Sequence, residues 1–533
     1  MDRRRFLGGL AAVTVVSACS GSDDDTAGDG TTSTSSGPVR AAEPAPATLP
    51  AEVFALGVAS GDPLTDRVIL WTRLATAPAV DVSSESPEGE VEVAFDVATD
   101  EAFEDLVASD VAVARPDLAH SVHVDVTGLQ PDTWYFYRFR AGDQTSPVGR
   151  TRTFPAEDSQ PERFRFVFAS CQDYQWGHYA AWGRATEQED VDAVVFLGDY
   201  IYESTFGDLS PTRTGERVWA TPEATTLEHY RTRYAQVRSD PQLRAAHHMA
   251  PWIVTFDDHE VSNNYAGDVG QADIDQPRSA ERRLAGYQAW YEHMPIRLDP
   301  PDDFGELEVH RGFAFGSLAS LFAIETRQRA DVPACRTDGT LVSDDGPLCE
   351  DTEDEARTNL GEVQETWLHE ALASSSTRWN ILANPLMLAG LNTGTDESPS
   401  FSRDAWVGYP AARRRLLRAI TDNEVSNPVA VTGDWHASFV LDVKPDDDPE
   451  AETVLPEFLA SSISTVLFAD DYSEANPHMR YFVGEHGYGL VTVTPEDLRC
   501  EFHYIEDEWD PDSPLSHVDT WVVRDGEREA QPL

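Results

Sequence analysis

The chain has 533 residues, and its acidic composition limits the partners that it can bind. It carries 94 acidic residues against 40 basic ones, for a formal net charge of −54, and Lys444 is its only lysine. A surface this acidic repels nucleic acid and anionic lipid, so we expect neither as a partner. The length exceeds what one ordinary hydrophobic core organises, which indicates two or more domains.

The first residues resemble an export signal. Three arginines at residues 3–5 precede an apolar run, residues 10–16, that is too short to span a bilayer core of about 30 Å. This arrangement resembles a twin-arginine signal. The segment VSAC that follows resembles a lipobox, which would make Cys19 the lipidated first residue of the mature protein. The alternative is a plain cleaved signal with an incidental cysteine.

We therefore expect residues 1–19 to be a lipoprotein signal and residues 20–52 to be a flexible linker, because Ser, Gly, Asp and Thr are frequent at its start. The mature protein would be exported by the twin-arginine route and either lipid-anchored in the cell envelope or secreted. We expect a monomer that contacts the membrane only through the lipid on Cys19.

Two patterns divide the rest of the chain. Residues 53–155 read as short alternating strands joined by turns, and the stretch GLQPDTWYFYRF within them resembles an immunoglobulin-like or fibronectin III-like β-sandwich. Between residues 160 and 510, hydrophobic strands alternate with helical stretches, which predicts an α/β layered domain. Residues 511–533 are polar at their start and are predicted to be a surface tail.

The remaining cysteines have different predicted roles. Cys335 and Cys349 flank a polar loop, and outside the cytoplasm they are expected to form a disulfide. Cys500 stands in an alternating stretch and is predicted to be a buried strand residue. Cys171 directly follows an apolar strand and is left as a candidate ligand.

Polar side chains follow four separate hydrophobic strands of the α/β region. Loops beyond the carboxyl ends of strands are where α/β sheets gather ligands, so this recurrence predicts a functional site. The residues are Cys171 after the first strand, Asp199 and Tyr202 after the second, Asp257, Asp258, His259 and Asn264 after the third, and Asp434 and His436 after the fourth.

A metal centre explains this set of residues economically. Carboxylates and a phenolate are hard ligands, whereas thiolate and imidazole suit a first-row transition metal. Asp199 has two oxygens with which to bridge two ions. The phenol of Tyr202 has an ordinary pKa near 10 and would ionise at neutral pH only beside a strongly Lewis-acidic cation such as Fe³⁺. Gly198 is predicted to free the backbone at the strand end.

Five motifs follow one another along the chain: FASCQ, FLGDYIYE, DDHEVSNNY, ETRQRAD and TGDWHASF. Together and in this order they resemble the PhoD-type alkaline phosphatases, and the resemblance covers roughly residues 53–490. These are exported metallophosphoesterases with a small N-terminal sandwich and an α/β/β/α sandwich core related to purple acid phosphatases.

The resemblance implies a centre containing Fe³⁺ and Ca²⁺. Carried over by motif, the iron ligands are Cys171, Asp199, Tyr202 and His436, and the calcium ligands are Asp258 and Asp434, with Asp199 bridging. A second calcium is expected in the family, and either Asp257 or Asn264 could complete its ligand set. The family's C-terminal capping helix has no clear counterpart here, which predicts a more open site.

Two further residues are candidates for catalysis. His259 would steady the transition state or protonate the leaving group, or else would only orient Asp258. Arg327 would bind phosphate, or else would pair structurally with Glu325 or Asp331.

The function expected from these features is metal-dependent hydrolysis of phosphate mono- or diesters, small or polymeric, by attack of a metal-activated water, with an alkaline pH optimum. One alternative is a phosphodiesterase that acts on lipid head groups or teichoic-type polymers. An alternative of another class is a surface-anchored binding or adhesion protein that metals stabilise.

Overall fold

The computed structural model describes residues 39–78, 84–204, 217–267, 279–335, 345–395, 397–468 and 470–533. The predicted signal, Cys19 and the start of the linker lie outside these residues. Residues 39–533 form one compact unit. Within the described ranges, no helix combines the length and the apolar character needed to cross a membrane.

The strands, in chain order, are β1 (Val58–Gly61), β2 (Arg67–Arg73), β3 (Val91–Ala98), β4 (Leu106–Ala114), β5 (Ser121–Thr127), β6 (Trp134–Ala141), β7 (Gln144–Thr145), β8 (Gly149–Arg152), β9 (Phe164–Gln172), β10 (Ala193–Leu197), β11 (Trp252–Thr255), β12 (Arg311–Phe315), β13 (Ala319–Ala323), β14 (Asp345–Gly346), β15 (Trp379–Asn384), β16 (Phe401–Ser402), β17 (Pro428–Thr432), β18 (Ser438–Val443), β19 (Leu455–Leu459), β20 (Ser462–Ser464), β21 (Met479–Val483), β22 (Gly487–Val493), β23 (Asp497–Ile505), β24 (Leu515–Arg524) and β25 (Gln531–Pro532). The helices are α1 (Ala180–Ala185), α2 (Leu227–Arg238), α3 (Pro241–Met249), α4 (Ser279–His293), α5 (Gly361–Ser374) and α6 (Pro410–Asp422).

The N-terminal strands form two facing groups around a shared core. A five-stranded sheet has the order β4-β3-β6-β7, with β8 also paired to β6, while β1, β2 and β5 pair separately. Buried side chains of both groups, such as Val68, Val93 and Tyr137, belong to one hydrophobic cluster. Strand β1 also pairs in parallel with β11, so the N-terminal region shares a sheet with the α/β region. The immunoglobulin-like or fibronectin III-like topology stays a prediction.

The α/β region contains two sheets that pack face to face. The larger has the order β25-β24-β23-β22-β9-β10-β11-β1-β2-β5, with β20 beside β9, and the other has the order β12-β13-β15-β17-β19-β18-β21. Phe168 and Val195 of the first sheet share a hydrophobic cluster with Ile381 and Val431 of the second. Helices α1–α4 cover the outer face of the first sheet, and α5 and α6 cover that of the second. Strands β9, β10 and β11 are parallel, as are β13, β15, β17 and β19.

Two segments that were predicted to be a tail and a linker contain ordered contacts with the rest of the protein. The expected surface tail contains β24, which pairs along its whole length with β23 and places Trp521 opposite Cys500. The apolar alternation that indicates β24 begins only after a polar turn, so the strand was not predicted from the sequence. The last part of the expected linker, residues 39–52, contacts the N-terminal sheet: Ala42 N–H donates to Ser109 Oγ, and Gln144 Nε2–H donates to Pro50 O. This segment has no helical or strand periodicity in its sequence, so these hydrogen bonds could not be predicted from it.

The predictions for Cys335, Cys349 and Cys500 are confirmed. Cys335 and Cys349 form a disulfide with their Cα atoms 5.6 Å apart. Cys500 is a fully buried residue of β23.

Candidate metal centre and active site

The ends of β9, β10, β11 and β17 approach one another closely at one edge of the two sheets. Gly198 follows β10 with a φ of 107°, and a Cβ there would lie 2.5 Å from Cβ of Asp257. Gly433 follows β17, and a Cβ there would lie 2.7 Å from Cβ of Ser170. Contacts this short exclude any side chain, so glycine at both positions lets the strand ends meet.

The backbone at these strand ends is held in a sparsely populated conformation. Left-handed φ values at non-glycine residues cost about 1–3 kcal/mol each and tend to concentrate at functional sites. Such residues here are Cys171 (58°), Asp199 (58°), Asn264 (50°), Asp434 (70°) and His436 (54°). The strain turns their side chains out of the strand direction and toward a common centre.

The first ligand group comes from β9, β10 and β17. Ligand atoms of Cys171, Asp199 and His436 all lie within 4.8 Å of one another. The Sγ atom of Cys171 is 3.5 Å from Oδ2 of Asp199. Tyr202 Oη lies 3.2 Å from the same Oδ2 atom and 3.1 Å from Nε2 of His436. The structure therefore brings a thiol, a phenol, an imidazole and a carboxylate together.

Two further groups share residues with the first. Asp199, Asp258 and His259 form one of them, and Asp257, Asp258 and Asp434 form the other. Oδ2 of Asp199 faces Cys171 and Tyr202, whereas Oδ1 accepts a hydrogen bond from the backbone N–H of His259 at 3.3 Å. The two oxygens of Asp199 thus face different groups, as a bridging carboxylate requires.

The electrostatics of these groups favour a cation. Burial, together with the charge of Asp258, raises the pKa of Asp199 well above its ordinary value. Burial and the charge of Asp257 do the same to the pKa of Asp434. Oδ2 of Asp257 is buried with no hydrogen-bond partner in the described part of the chain. Neutralising carboxylates with a cation removes this repulsion, so the residues present fit a metal centre.

His259 lies between two carboxylates beside this centre. Its Nδ1 atom is 2.6 Å from Oε2 of Glu203, and its Nε2 atom is 3.9 Å from Oδ2 of Asp258. Burial opposes a charge on the ring, but Asp258, Glu203 and Asp199 raise the pKa of His259 well above its ordinary value. Burial likewise opposes the charge of Asp258, yet His259 and Arg327 lower its pKa to about 2.

The placement of Arg327 corrects the prediction that it binds phosphate. Its side chain is 1% exposed, and its Nε–H donates to Oδ1 of Asp257 at 2.5 Å. Nη1 donates to both oxygens of Asp404 at 2.7 Å, and Nη2 lies 3.5 Å from Asp258 Oδ1. The guanidinium is thus buried behind the carboxylates. Of the two residues that the structural alternative named, Glu325 accepts a hydrogen bond from the backbone N–H of Arg327 at 2.8 Å and does not pair with the guanidinium.

The comparisons with known proteins agree with this geometry. Family models for the PhoD-like phosphatase, N-terminal domain, and for the PhoD-like phosphatase match residues 40–155 and 166–502. The chain belongs to the PhoD-like phosphatase family. Alkaline phosphatase D of Bacillus subtilis (strain 168) is 39% identical over 479 residues, which cover 88% of this chain and 81% of that protein. A solved structure described as the structure of PhoD is 38% identical, covers 90% of this chain and 92% of its own, and superposes with a TM-score of 0.84.

Membership of the PhoD-like phosphatase family confirms two predictions. The chain is a phosphoric ester hydrolase, in preference to the binding-protein alternative, and its fold is a mixed, sheet-rich α/β fold that matches PhoD. The N-terminal family model begins before the predicted start of the sandwich at residue 53.

Sequence reasoning missed three acidic residues of this PhoD-like site. Glu203 and Asp404 contact His259 and Arg327 as described above. Glu260 is buried and accepts three backbone hydrogen bonds: Oε2 accepts from the N–H groups of Asp199 (3.1 Å) and Asp257 (2.9 Å), and Oε1 accepts from Tyr200 N–H (2.6 Å). Glu203 and Glu260 both stand within quoted motifs, but their roles depend on partners distant in sequence.

A cavity of about 450 Å³ opens onto the centre. It is lined by Asp199, Asp258, His259, Asn263, Asn264, Asp345, Thr393, Ser402, Asp404, Asp434, Trp435, His436, Phe468 and Tyr472. The last residues of the chain, 511–533, contain strands and no helix, so they provide no capping helix of the kind known in this family.

Proposed function

We propose that this chain is an exported phosphoesterase that hydrolyses phosphate mono- or diesters at a centre of Fe³⁺ and Ca²⁺. The observation that carries the proposal is Asp199, whose two oxygens face two adjacent ligand groups. When bound, the cations would neutralise charge on the phosphoryl oxygens and make a water molecule a stronger nucleophile.

The donor types divide the proposed ligands between the two ions. Thiolate, phenolate and imidazole suit iron, which assigns Cys171, Tyr202 and His436 to Fe³⁺ together with Asp199. Carboxylates alone suit calcium, which assigns Asp258 and Asp434 to Ca²⁺ with the other oxygen of Asp199.

Asp257 is the stronger of the two candidates for completing a calcium site. One of its oxygens is bound by Arg327, while the other is buried without a partner in the described chain and lies in the group with Asp258 and Asp434. A buried oxygen in this state gains a partner if a cation binds.

His259 is proposed to donate a proton to the leaving oxygen from Nε2. Nδ1 lies beside Glu203, whereas Nε2 lies on the side of Asp258, which lines the cavity together with His259. Protonation of the departing alkoxide removes its charge as the P–O bond breaks. The negative charge of Asp258, on the Nε2 side, favours the protonated form of the ring.

Hydrolysis assays on chelator-free, full-length protein test this proposal. We expect release of nitrophenol from p-nitrophenyl phosphate or its bis-ester, fastest above neutral pH, and loss of activity after chelation. Asp199→Asn should be inactive, whereas Asp240→Asn should retain activity, because the Asp240 carboxylate caps α3 and pairs with Arg217 outside the cavity lining. An optimum below neutrality, or full activity after chelation, would contradict the proposal.

The identity of the iron can be tested by colour. Ferric tyrosinate absorbs visible light, so the native protein should be coloured and Tyr202→Phe should lose the tyrosinate absorption band. Tyr200→Phe is the matched control, because that phenol contacts His247 at 2.8 Å instead of the ligand group. If Tyr202→Phe and Tyr200→Phe have the same visible absorption and elemental analysis finds no iron, the proposal that the site binds iron is wrong.

Export and lipid anchoring are proposed from the sequence alone. The protein should fractionate with membranes, and Cys19→Ala should release it into the soluble exported fraction. Retention of both forms in the cytoplasm would contradict export.

A further inference from the structure

The wall of the active-site cavity has two chemically different parts. The proposed metal ligands Asp199, Asp258, Asp434 and His436 form one part. Three aromatic residues, Trp435, Phe468 and Tyr472, form another and come from two segments of the chain. We call these three residues the aromatic wall.

Phe468 is a large aromatic side chain that is exposed to solvent beside the proposed metal centre. Its side chain is 46% exposed, and it is the one aromatic residue among the exposed large hydrophobic residues of the described chain. Its ring lies parallel to that of His436, with the centroids 5.1 Å apart and the planes 2° apart. The ring of Trp435 is 6.2 Å away. One face of Phe468 is therefore packed beside a proposed iron ligand, and apolar surface remains open next to the reaction site.

The described lining of the cavity is poor in side chains that carry a permanent positive charge. No arginine or lysine is among its lining residues in the described chain, and Asp345 and Asp404 add negative charge. The nearest arginine to the carboxylates, Arg327, is already bound by Asp257 and Asp404. A substrate group that carries its own negative charge would therefore face carboxylates and find no arginine or lysine among the described lining residues.

We propose that the aromatic wall is the subsite for the alcohol portion of the ester, and that it selects an apolar or aromatic alcohol that carries no negative charge. This inference rests on the proposed phosphoesterase function and names the substrate class of the same site. Burial of an apolar group against Phe468 removes exposed surface from water, and aromatic contacts add to that gain.

Three monoesters distinguish this subsite from general catalysis: phenyl phosphate, 4-carboxyphenyl phosphate and glycerol 2-phosphate. Each variant is compared with the wild type on the same ester, so differences in leaving-group reactivity cancel. Phe468→Ala should lower kcat/KM for phenyl phosphate by about 3- to 10-fold, mainly through KM, as expected for losing one aromatic contact. Glycerol 2-phosphate should change by less than about 2-fold, since it has no apolar face to lose.

Two controls make the result specific. Phe468→Tyr keeps the aromatic face and should retain the wild-type preference. Val518→Ala removes an exposed side chain of β24 outside the cavity lining and should change no kcat/KM value. In the wild type, added salt should raise kcat/KM for 4-carboxyphenyl phosphate relative to that for phenyl phosphate, because salt screens the repulsion of the substrate carboxylate.

The outcomes separate the two proposals. An equal loss on phenyl phosphate and glycerol 2-phosphate would show that Phe468 only supports His436, and it would overturn the subsite while leaving the phosphoesterase intact. A reaction on phenyl phosphate that Phe468→Ala leaves unchanged, or a ratio of kcat/KM for the two aryl esters that does not respond to salt, would also overturn the subsite. If the metal-loaded wild type hydrolyses none of the esters, the proposed function fails and the subsite fails with it.

Discussion

His259 and Glu203 form a buried pair, with Nδ1 and Oε2 2.6 Å apart, and Glu203 also accepts a hydrogen bond from the backbone N–H of Asn263 at 2.8 Å. The second contact fixes the carboxylate, and the fixed carboxylate in turn fixes the imidazole. Nδ1 therefore faces Glu203, and Nε2 lies on the side of Asp258. A catalytic role for His259 thus depends on a residue that does not itself line the cavity.

Glu203→Gln should uncouple this pair. The amide lacks the negative charge that favours the protonated ring, so less of His259 can act as an acid, and we expect kcat to fall by about 10- to 100-fold with little change in KM. His259→Asn should fall at least as far, and the double variant should lose no more than His259→Asn alone. Additive losses in kcat would show that the two residues act independently.

Glu260→Gln should loosen the ends of β10 and β11 together. A single amide oxygen cannot accept all three backbone N–H groups, and its NH₂ group would face at least one of them. We expect the purified variant to contain less metal than the wild type and to recover activity when metal is added.

Glu457→Gln is the control for that experiment, because Glu457 is also buried and accepts the N–H groups of Leu388 and Ala389 at 2.8 Å in the second sheet. Both variants should lower the Tm, but only Glu260→Gln should lower the metal content. Equal metal content in the two variants would argue against a positioning role for Glu260.

Arg327→Met should leave the carboxylates of Asp257, Asp258 and Asp404 without their cation. Breaking a buried ion pair by removing one partner costs about 3–5 kcal/mol, so we expect a comparable drop in the free energy of unfolding of the chelator-treated protein. Arg329→Met is the matched control: Arg329 is 45% exposed and pairs with Glu306 at 3.3 Å, which predicts a loss of less than about 1 kcal/mol. Denaturant unfolding compares them, and similar losses would refute the structural role assigned to Arg327.

Asp96 should make the N-terminal sheet sensitive to acid. Burial opposes its charge, but hydrogen bonds from Arg140, Ser109 and Arg138 hold the pKa of Asp96 below its ordinary value of 3.8. A carboxyl group whose pKa is lower in the folded state stabilises the fold above its unfolded pKa, and this contribution disappears as the pH falls below 3.8 through the folded pKa.

The corresponding measurement is the Tm of wild type and Asp96→Asn as a function of pH. The wild type should be the more stable near neutral pH, and the difference should shrink as the pH drops below about 4, where the free carboxyl group begins to protonate. A difference that does not depend on pH would mean that the charge of Asp96 contributes nothing to stability.

Much of this molecule could be predicted from local patterns in the sequence. Hydrophobic runs that end in polar clusters indicated β9, β10, β11 and β17. Parallel pairing brings the ends of the first three to one edge, whereas β17 belongs to the second sheet and reaches that edge through packing of the two sheets. The polar loop between Cys335 and Cys349 indicated the disulfide. The family followed from motif order. These features are encoded within a few consecutive residues, and so they can be read without the fold.

The tertiary structure alone decided which charges meet. Arg327 lies 70 residues from Asp257 in the chain and 77 from Asp404, and nothing local to ETRQRAD indicates those partners. Glu260 contacts the backbone of Asp199 across 61 residues, and β24 finds its place only because β23 offers an unpaired edge. The chemical type of each side chain can be read from the sequence. Its partner depends on how distant segments pack around a buried charge, because a buried ion needs a partner of opposite charge.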